Sequence, residues 1–221
     1  MLNKTYLVTA GPTHEKIDPV RYIGNYSSGK MGFTVAERLA NLGARVILVT
    51  GPVALQLKND NILRIDVVSA TEMYTQCLNY FSKCNGAIMV AAVADFAPVV
   101  IDDQKIKRTS SNYFLELRPN PDIAASLGKI KRKDQVLVGF ALETNDEEQN
   151  ALAKLQKKNL DFIVLNSLRD SGSGFQHDTN RIKILDKIGT ISIYDLKQKT
   201  EVAVDIVNKL IEIEDSISGV L

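Results

Sequence analysis

The chain has 221 residues, 45% of them apolar and 24% charged, with a formal net charge of +1. That is the composition of an ordinary globular protein, and so small a charge gives no general case for nucleic acid or a membrane surface as partner. No apolar run approaches the roughly 18 to 20 residues needed to cross a bilayer. The opening Met1-Leu2-Asn3-Lys4-Thr5 lacks the charged-then-apolar plan of a signal peptide, so a cytoplasmic location is expected.

A chain of this length is within reach of one α/β domain, and one domain over 1–221 is expected. Tyr6 to Ala10 reads as a strand ending at the Gly11-Pro12 turn. A helix from about Gly29 carries Met31, Val35, Leu39 and Leu42 on one stripe and stops at Gly43. Arg45 to Thr50 and Ile62 to Val68 are strands, and Ala70 to about Cys84 a helix. Ala87 to Val93 is apolar on both alternating faces, the pattern of a buried central strand.

A less regular stretch, about 94–112, precedes a short strand from Tyr113 to Leu117. Asn120-Pro121-Asp122 supplies an N-cap, a first-position Pro and an early acid for a helix striped by Ile123, Leu127 and Ile130. Gln135 to Phe140 is a strand, Asn145 to Lys158 a helix with acids first and lysines last, and Asp161 to Leu165 a strand. Ser171-Gly172-Ser173-Gly174 marks a mobile loop, about 166–180. Arg181 to Leu185 and Thr190 to Ile193 form a hairpin around Gly189, and Ala203, Ile206, Val207 and Leu210 stripe a last helix. Alternating strands and helices predict a Rossmann-like α/β fold: a largely parallel sheet, helices on both faces, with a C-terminal β-hairpin and a basic flap loop. Ligands in such sheets bind beyond the carboxyl ends of the strands, so the informative residues should follow strands.

Four segments answer that description. Gly24-Asn25-Tyr26-Ser27-Ser28-Gly29-Lys30-Met31 approaches a P-loop but puts Met31 where a Mg²⁺-holding hydroxyl is required. What remains is a small-residue turn, Ser27 to Lys30, entering a helix start suited to an anion, with Arg21 and Asn25 nearby. Ala91-Ala92-Val93-Ala94-Asp95 brings a carboxylate out of the central strand, though a lone Asp there is as often a turn former. Lys105-Ile106-Lys107-Arg108 is either a solvated surface or a loop that folds over a polyphosphate. The fourth joins Asn120 to Ala124 with Gly139-Phe140 and the lysines Lys154 and Lys158, one helical turn apart.

No G-x-G-x-x-G turn follows the first strand, which removes most support for a nicotinamide-dependent oxidoreductase, and no nucleophile elbow is present. Cys77 and Cys84 are the only cysteines and are expected on one face of a helix as buried, inert thiols. With His14 and His177 the only histidines, a zinc site or a histidine relay has little to draw on. The available donors and cations suit a reaction whose nucleophiles belong to the substrates.

In order and spacing, the Asp18 to Gly32 stretch, the Ala-Ala-Val-Ala-Asp turn, the basic loop, Asn120-Pro121-Asp122 and Gly139-Phe140-Ala141-Leu142-Glu143-Thr144 resemble the phosphopantothenoylcysteine synthetase family. In bacteria this ligase is often fused to a flavin-dependent decarboxylase. The resemblance implies that the carboxylate of 4′-phosphopantothenate attacks the α-phosphate of CTP, and that the amine of L-cysteine then displaces CMP from the acyl-cytidylate. Residue by residue it implies that Asn25 holds the acyl-cytidylate with Arg21 nearby, and that Lys107 meets charge on the phosphate. It assigns Ala91, Asp95, Pro121, Asp122, Ile123, Ala124, Phe140, Lys154 and Lys158 to the nucleotide, and Ser27, Ser28, Gly29 and Lys30 to phosphate or substrate. Mg²⁺ is expected with the triphosphate, its ligands unassigned. No flavin is expected, nor decarboxylation, and a homodimer is. Arg108 replaces a common lysine with charge kept. Leu142, where many bacterial members have Ala, leaves ATP as the alternative donor; a nucleotide-binding module without turnover is the alternative from another class.

Overall fold

The computed structural model describes residues 1–108, 111–143, 146–167 and 177–219. In chain order the first elements are β1 (Thr5–Ala10), β2 (His14–Lys16), β3 (Tyr22–Gly24), α1 (Lys30–Asn41), β4 (Arg45–Thr50), β5 (Ile62–Asp66), α2 (Ala70–Phe81) and β6 (Gly86–Met89). Then come β7 (Phe96–Pro98), β8 (Leu117–Pro119), α3 (Ile123–Ile130), β9 (Val136–Glu143), α4 (Glu147–Lys157) and β10 (Phe162–Ser167). The chain closes with β11 (Thr179–Asn180), β12 (Ile182–Asp186), β13 (Ile191–Ile193), β14 (Lys197–Gln198) and α5 (Lys199–Ile217).

The central sheet has eight strands in the order β13-β12-β10-β9-β6-β1-β4-β5. From β5 through β10 all neighbours pair parallel, while β12 and β13 add antiparallel at one edge. The expected fold class is therefore what forms. From β1 the chain builds outward through β4 to β5, then returns to build β6, β9 and β10 on the other side. The strand order thus reverses between β1 and β6, the crevice where doubly wound sheets take ligands.

Period-two alternation splits the apolar residues of β1 between two cores. Tyr6, Val8 and Ala10 face α1 and α5, where Val35, Leu39, Val202, Ile206 and Leu210 are buried. Leu7 faces the opposite core, with Met73 and Phe81 of α2, Leu127 of α3 and Leu155 of α4. Each such side chain contributes roughly 1.5–3 kcal/mol when fully buried. The Tyr6 hydroxyl donates to Glu214 Oε1 at 2.6 Å and Lys4 Nζ donates to Glu214 Oε2 at 2.6 Å, pinning the end of α5 to β1. Among the described residues no helix is long and apolar enough to cross a membrane.

Several expectations need correction. The central strand stops at Met89 rather than Val93, because the Thr9 hydroxyl takes the Val90 and Ala91 N–H groups at 3.1 and 3.2 Å and turns the chain out of the ladder. The cap of α3 is Asp122, accepting from the Ala125 N–H at 3.0 Å; Asn120 instead donates its amide to the Ala94 carbonyl at 2.9 Å. Ile130 is exposed and does not extend the α3 stripe. The strand expected at Tyr113 to Leu117 forms at Leu117–Pro119, paired antiparallel with β7 at the base of the flap. Cys84 lies beyond the end of α2, so the two cysteines do not share a helix face. Both are buried, and burial first pushes Cys77 up to about 12 and Cys84 to about 11, consistent with inert thiols. The Ser171 to Gly174 loop lies outside the described residues.

Candidate active site

Two cavities open beyond the carboxyl ends of β1, β6 and β9. The first, of about 260 Å³, is lined by Asn120, Pro121, Asp122, Ile123, Ala124, Lys154 and Lys158. The second, of about 340 Å³, is lined by Asn25, Ser27, Ser28, Gly29, Lys30, Leu142 and Lys199. Ala91, Val93, Asp95 and Phe140 line both, so the cavities share a wall. Every residue that the resemblance assigned to the nucleotide, Lys107 apart, lies on the first; the Ser27 to Lys30 turn and Asn25 lie on the second.

Local chemistry explains the second cavity. Gly29 caps α1 at φ 79°, a left-handed conformation that favours glycine. A Cβ on Gly29 would also stand 3.0 Å from Val53 Cγ1 and 3.2 Å from Gly11 N. Ser27 Oγ accepts from the Gly29 N–H at 3.2 Å, bending the turn toward the helix. At the cleft mouth the Asn25 amide donates to the Ala92 carbonyl at 2.9 Å, which joins the loop before α1 to the loop after β6.

The first cavity is basic on one side. Lys154 Nζ lies 2.5 Å from Glu143 Oε1, and Lys158 Nζ lies 3.0 Å from Asp122 Oδ2. Burial alone would raise the Asp122 carboxyl, but the Ala125 N–H and the Lys158 ammonium outweigh it and hold the group below its usual range. The Asn120 Oδ1 atom is buried without a partner, an acceptor with spare capacity beside the cavity. Among the described residues no cluster of His, Cys, Asp and Glu could hold a metal ion.

Arg21 and Lys107 do not join these cavities. They line a separate hollow of about 430 Å³ with Ile17, Ile106, Arg108 and Tyr113. Asp18, buried at 2% exposure, holds Arg21 and the residue before Lys107. Its carboxylate accepts from the N–H groups of Val20, Arg21 and Ile106 at 2.7, 2.8 and 3.2 Å and pairs with Arg21 Nη1 at 2.5 Å. Sequence reasoning included Asp18 in the Asp18 to Gly32 stretch but gave it no role of its own. It also missed Asn166, Asn180 and Lys199 on the second cavity, since each is an ordinary polar residue at the end or start of an element.

A doubly wound α/β domain with a divided, cation-bearing cleft at its switch point is a class defined by fold and site together. Within that class the chain belongs to the family of the DNA/pantothenate metabolism flavoprotein C-terminal domain, whose profile matches residues 1–213. The family resemblance read from the motifs is borne out.

Among relatives, the Bacillus subtilis (strain 168) coenzyme A biosynthesis bifunctional protein CoaBC is 43% identical over 207 residues, covering 94% of this chain and 51% of that protein. A cysteine/cysteine sulfinic acid decarboxylase from an unknown prokaryotic organism is 55% identical over 204 residues, covering 92% of this chain and 57% of that protein. The chain thus spans about half the length of the curated relatives it matches. The crystal structure of the C-terminal domain of CoaBC superposes with a TM-score of 0.82 at 38% identity, covering 97% of this chain and 98% of that one.

Proposed function

We propose that the chain is a ligase joining 4′-phosphopantothenate to L-cysteine in coenzyme A biosynthesis, with CTP as the activating nucleotide. The observation that carries this reading is the shared wall of Ala91, Val93, Asp95 and Phe140. A two-substrate activation needs the acid and the α-phosphate to meet, and two cavities with one common boundary place them side by side.

The nucleotide occupies the first cavity, its phosphates facing Lys154 and Lys158 and carrying Mg²⁺. The acid occupies the second. A carboxylate oxygen attacks the α-phosphorus, the bond to the β-phosphate oxygen breaks, and pyrophosphate leaves. The cysteine amine then attacks the acyl carbon, loses a proton, and expels CMP. Asn25 holds the acyl-cytidylate in the second half. Lys107 stabilises charge on the phosphate, a role that electrostatic preorganisation favours.

Lys107 reaches that position by movement of the flap or by pairing of two chains. The base of the flap and the β2–β3 hairpin expose Tyr22, Tyr26, Phe96, Val100 and Phe114, at 53%, 86%, 51%, 69% and 87%. Apolar exposure on this scale supports a homodimer across this region. A monomeric mass in sedimentation at micromolar concentration would remove the dimer. The decarboxylase in the name of one relative belongs to a protein of which this chain covers 57%.

The test is a nucleotide panel. Pyrophosphate release should require 4′-phosphopantothenate and be faster with CTP than with ATP, and CMP should follow on addition of cysteine. Faster release with ATP would reassign the donor. Binding of nucleotide with no release under any condition would leave a binding module and end the ligase reading.

A further inference from the structure

Two stacked rings lie against the residue that precedes Asn25. His14 opens β2 and pairs with Gly24 at the end of β3. The side chains of His14 and Tyr22 are diagonal neighbours on one face of this hairpin. They stack with centroids 3.7 Å apart and planes 15° from parallel. A Cβ on Gly24 would stand 3.0 Å from His14 Cδ2, 3.2 Å from Tyr22 Cε2 and 2.9 Å from the Thr13 carbonyl oxygen. The φ of Gly24 is not positive, so what glycine supplies here is close approach to both rings rather than backbone freedom.

Both sides of the hairpin lead to the cleft. The His14 N–H donates to the Val68 carbonyl at 2.8 Å, and the buried Glu15 carboxylate accepts from the Ala70 N–H at 2.8 Å, fixing β2 to the start of α2. The Thr13 N–H donates at 3.3 Å to the Ala92 carbonyl, the same oxygen that takes the Asn25 amide at 2.9 Å. β2 is therefore fixed to the wall that Asn25 reaches across, and the ring pair carries that fixation to Gly24. The Asn25 bond is exposed, so water competes for it and its geometry depends on where the Gly24 backbone is held. β2 and β3 have three residues each, and so short a two-stranded ribbon is marginal alone; a stacked diagonal pair is a sizeable part of what fixes its end. Burial lowers the His14 pKa, with the Glu15 charge opposing, which leaves the ring uncharged at neutral pH. Neither His14 nor Tyr22 lines the two cleft cavities, so any effect of the stack on the reaction passes through Asn25.

We infer that His14, stacked on Tyr22, is a positioning residue for Asn25: the ring pair holds Gly24 so that the Asn25 amide stays on the Ala92 carbonyl. The inference rests on the ligase reading for what Asn25 then does. Without the stack the loop after β3 relaxes toward water, and Asn25 spends less time in place. The half-reaction that uses Asn25, displacement of CMP by the cysteine amine, slows; attack of the acid on the nucleotide, in which Asn25 has no part, does not.

Two measurements on the full chain test this. In His14→Ala the Asn25 side-chain amide, followed by NMR, should exchange with solvent roughly 3- to 10-fold faster, the weight of a stacked ring pair. In rapid-quench assays amide formation on addition of L-cysteine should slow by a similar factor, with pyrophosphate release changed less than about twofold. His14→Phe, which keeps a flat neutral ring, should restore both readouts. Equal slowing of the two half-reactions, an unchanged Asn25 amide, or failure of His14→Phe to restore them overturns the inference. If His14→Ala does not fold, Gly24→Ala serves instead, because its Cβ meets both rings; an unchanged ratio of the half-reactions there overturns it. Failure of the ligase reading would be recognised separately, as absent pyrophosphate release from the wild-type chain, and the NMR measurement would still judge the stack.

Discussion

The Asp18 carboxylate accepts a hydrogen bond at 3.2 Å from the backbone N–H of Ile106, 88 residues further along the chain. Arg21 Nη1 completes the link from the other side, donating to the Ile106 carbonyl at 3.2 Å. The residue beside Lys107 is thereby tied to the loop that leads to Asn25. Whatever moves the flap must therefore act on that loop as well.

Asp18→Asn should loosen this tie while keeping its shape. Loss of those charge-assisted bonds should speed tryptic cleavage after Lys105 and Lys107 by roughly tenfold or more at neutral pH. Burial would raise the Asp18 pKa, yet the Val20, Ile106 and Arg21 N–H groups and the Arg21 charge bring it below the ordinary value. The sign follows from that. Asp18 binds its proton less readily when folded, so its contribution is complete above the ordinary carboxylate pKa of about 3.9 and is lost as pH falls through the lower folded value. Hydrogen exchange at Ile106 should be protected to the same degree from pH 5 to 8. A loss of protection already at pH 6 would rule out Asp18 as the latch.

Asn25→Asp separates the two half-reactions. The Asn25 amide bridges to the Ala92 carbonyl at 2.9 Å, and a carboxylate there loses that donor and adds charge beside an anionic intermediate. Pyrophosphate release should continue while amide formation stalls, so that quench-flow detects accumulated acyl-nucleotide. Equal loss of both halves would contradict the role given to Asn25.

Lys107→Gln removes one electrostatic stabiliser and should lower the ligation rate on the order of 10²- to 10³-fold. Because Lys107 lines the Arg21 hollow and not the cleft, nucleotide affinity should hardly change. A rate change below about threefold would make Lys107 surface charge alone.

The parallel sheet was readable in the sequence because its strands are β-branched runs closed by turn residues, as Arg45 to Thr50 is by Gly51-Pro52. The limit of β6 was not readable: Val90 to Val93 is as apolar as the strand before it. The Thr9 hydroxyl, 81 residues from Val90, diverts the chain. A lone threonine in a strand carries no signal of such a bond. The cleft residues Asn25, Asp95 and Asp122 were legible because each follows a strand or opens a helix. The part played by Asp18 was not, since it depends on burial and on the Ile106 N–H far along the chain, and burial is decided by distant packing.

The lysines of the first cavity are held by acids, Lys154 by Glu143 and Lys158 by Asp122. Binding of a triphosphate has to replace those pairs. Lys158→Gln should raise the KM for CTP on the order of tenfold, by removing a charge-assisted contact, and leave kcat within about threefold. Stability should fall little, because the Asp122 cap on the Ala125 N–H remains. A large fall in kcat at unchanged KM would move Lys158 from nucleotide binding to the chemical step.

Gly32→Ala tests whether the cleft floor depends on close packing of α1 against β1. A Cβ on Gly32 would stand 2.6 Å from Ala10 Cβ and 2.9 Å from the Thr9 carbonyl oxygen. Neither atom can rotate aside, so the helix must move off the strand. Overpacking of this kind costs about 1–3 kcal/mol, a fall in Tm of roughly 2–12 °C for a chain of this size. The strand that takes this strain carries Thr9, whose hydroxyl holds the Val90 and Ala91 N–H groups; Ala91 lines both cavities. The KM values for nucleotide and for acid should therefore rise together, measured well below the lowered Tm. A stability loss with both KM values unchanged would mean that the floor is held by its own turns and not by the Thr9 hydroxyl.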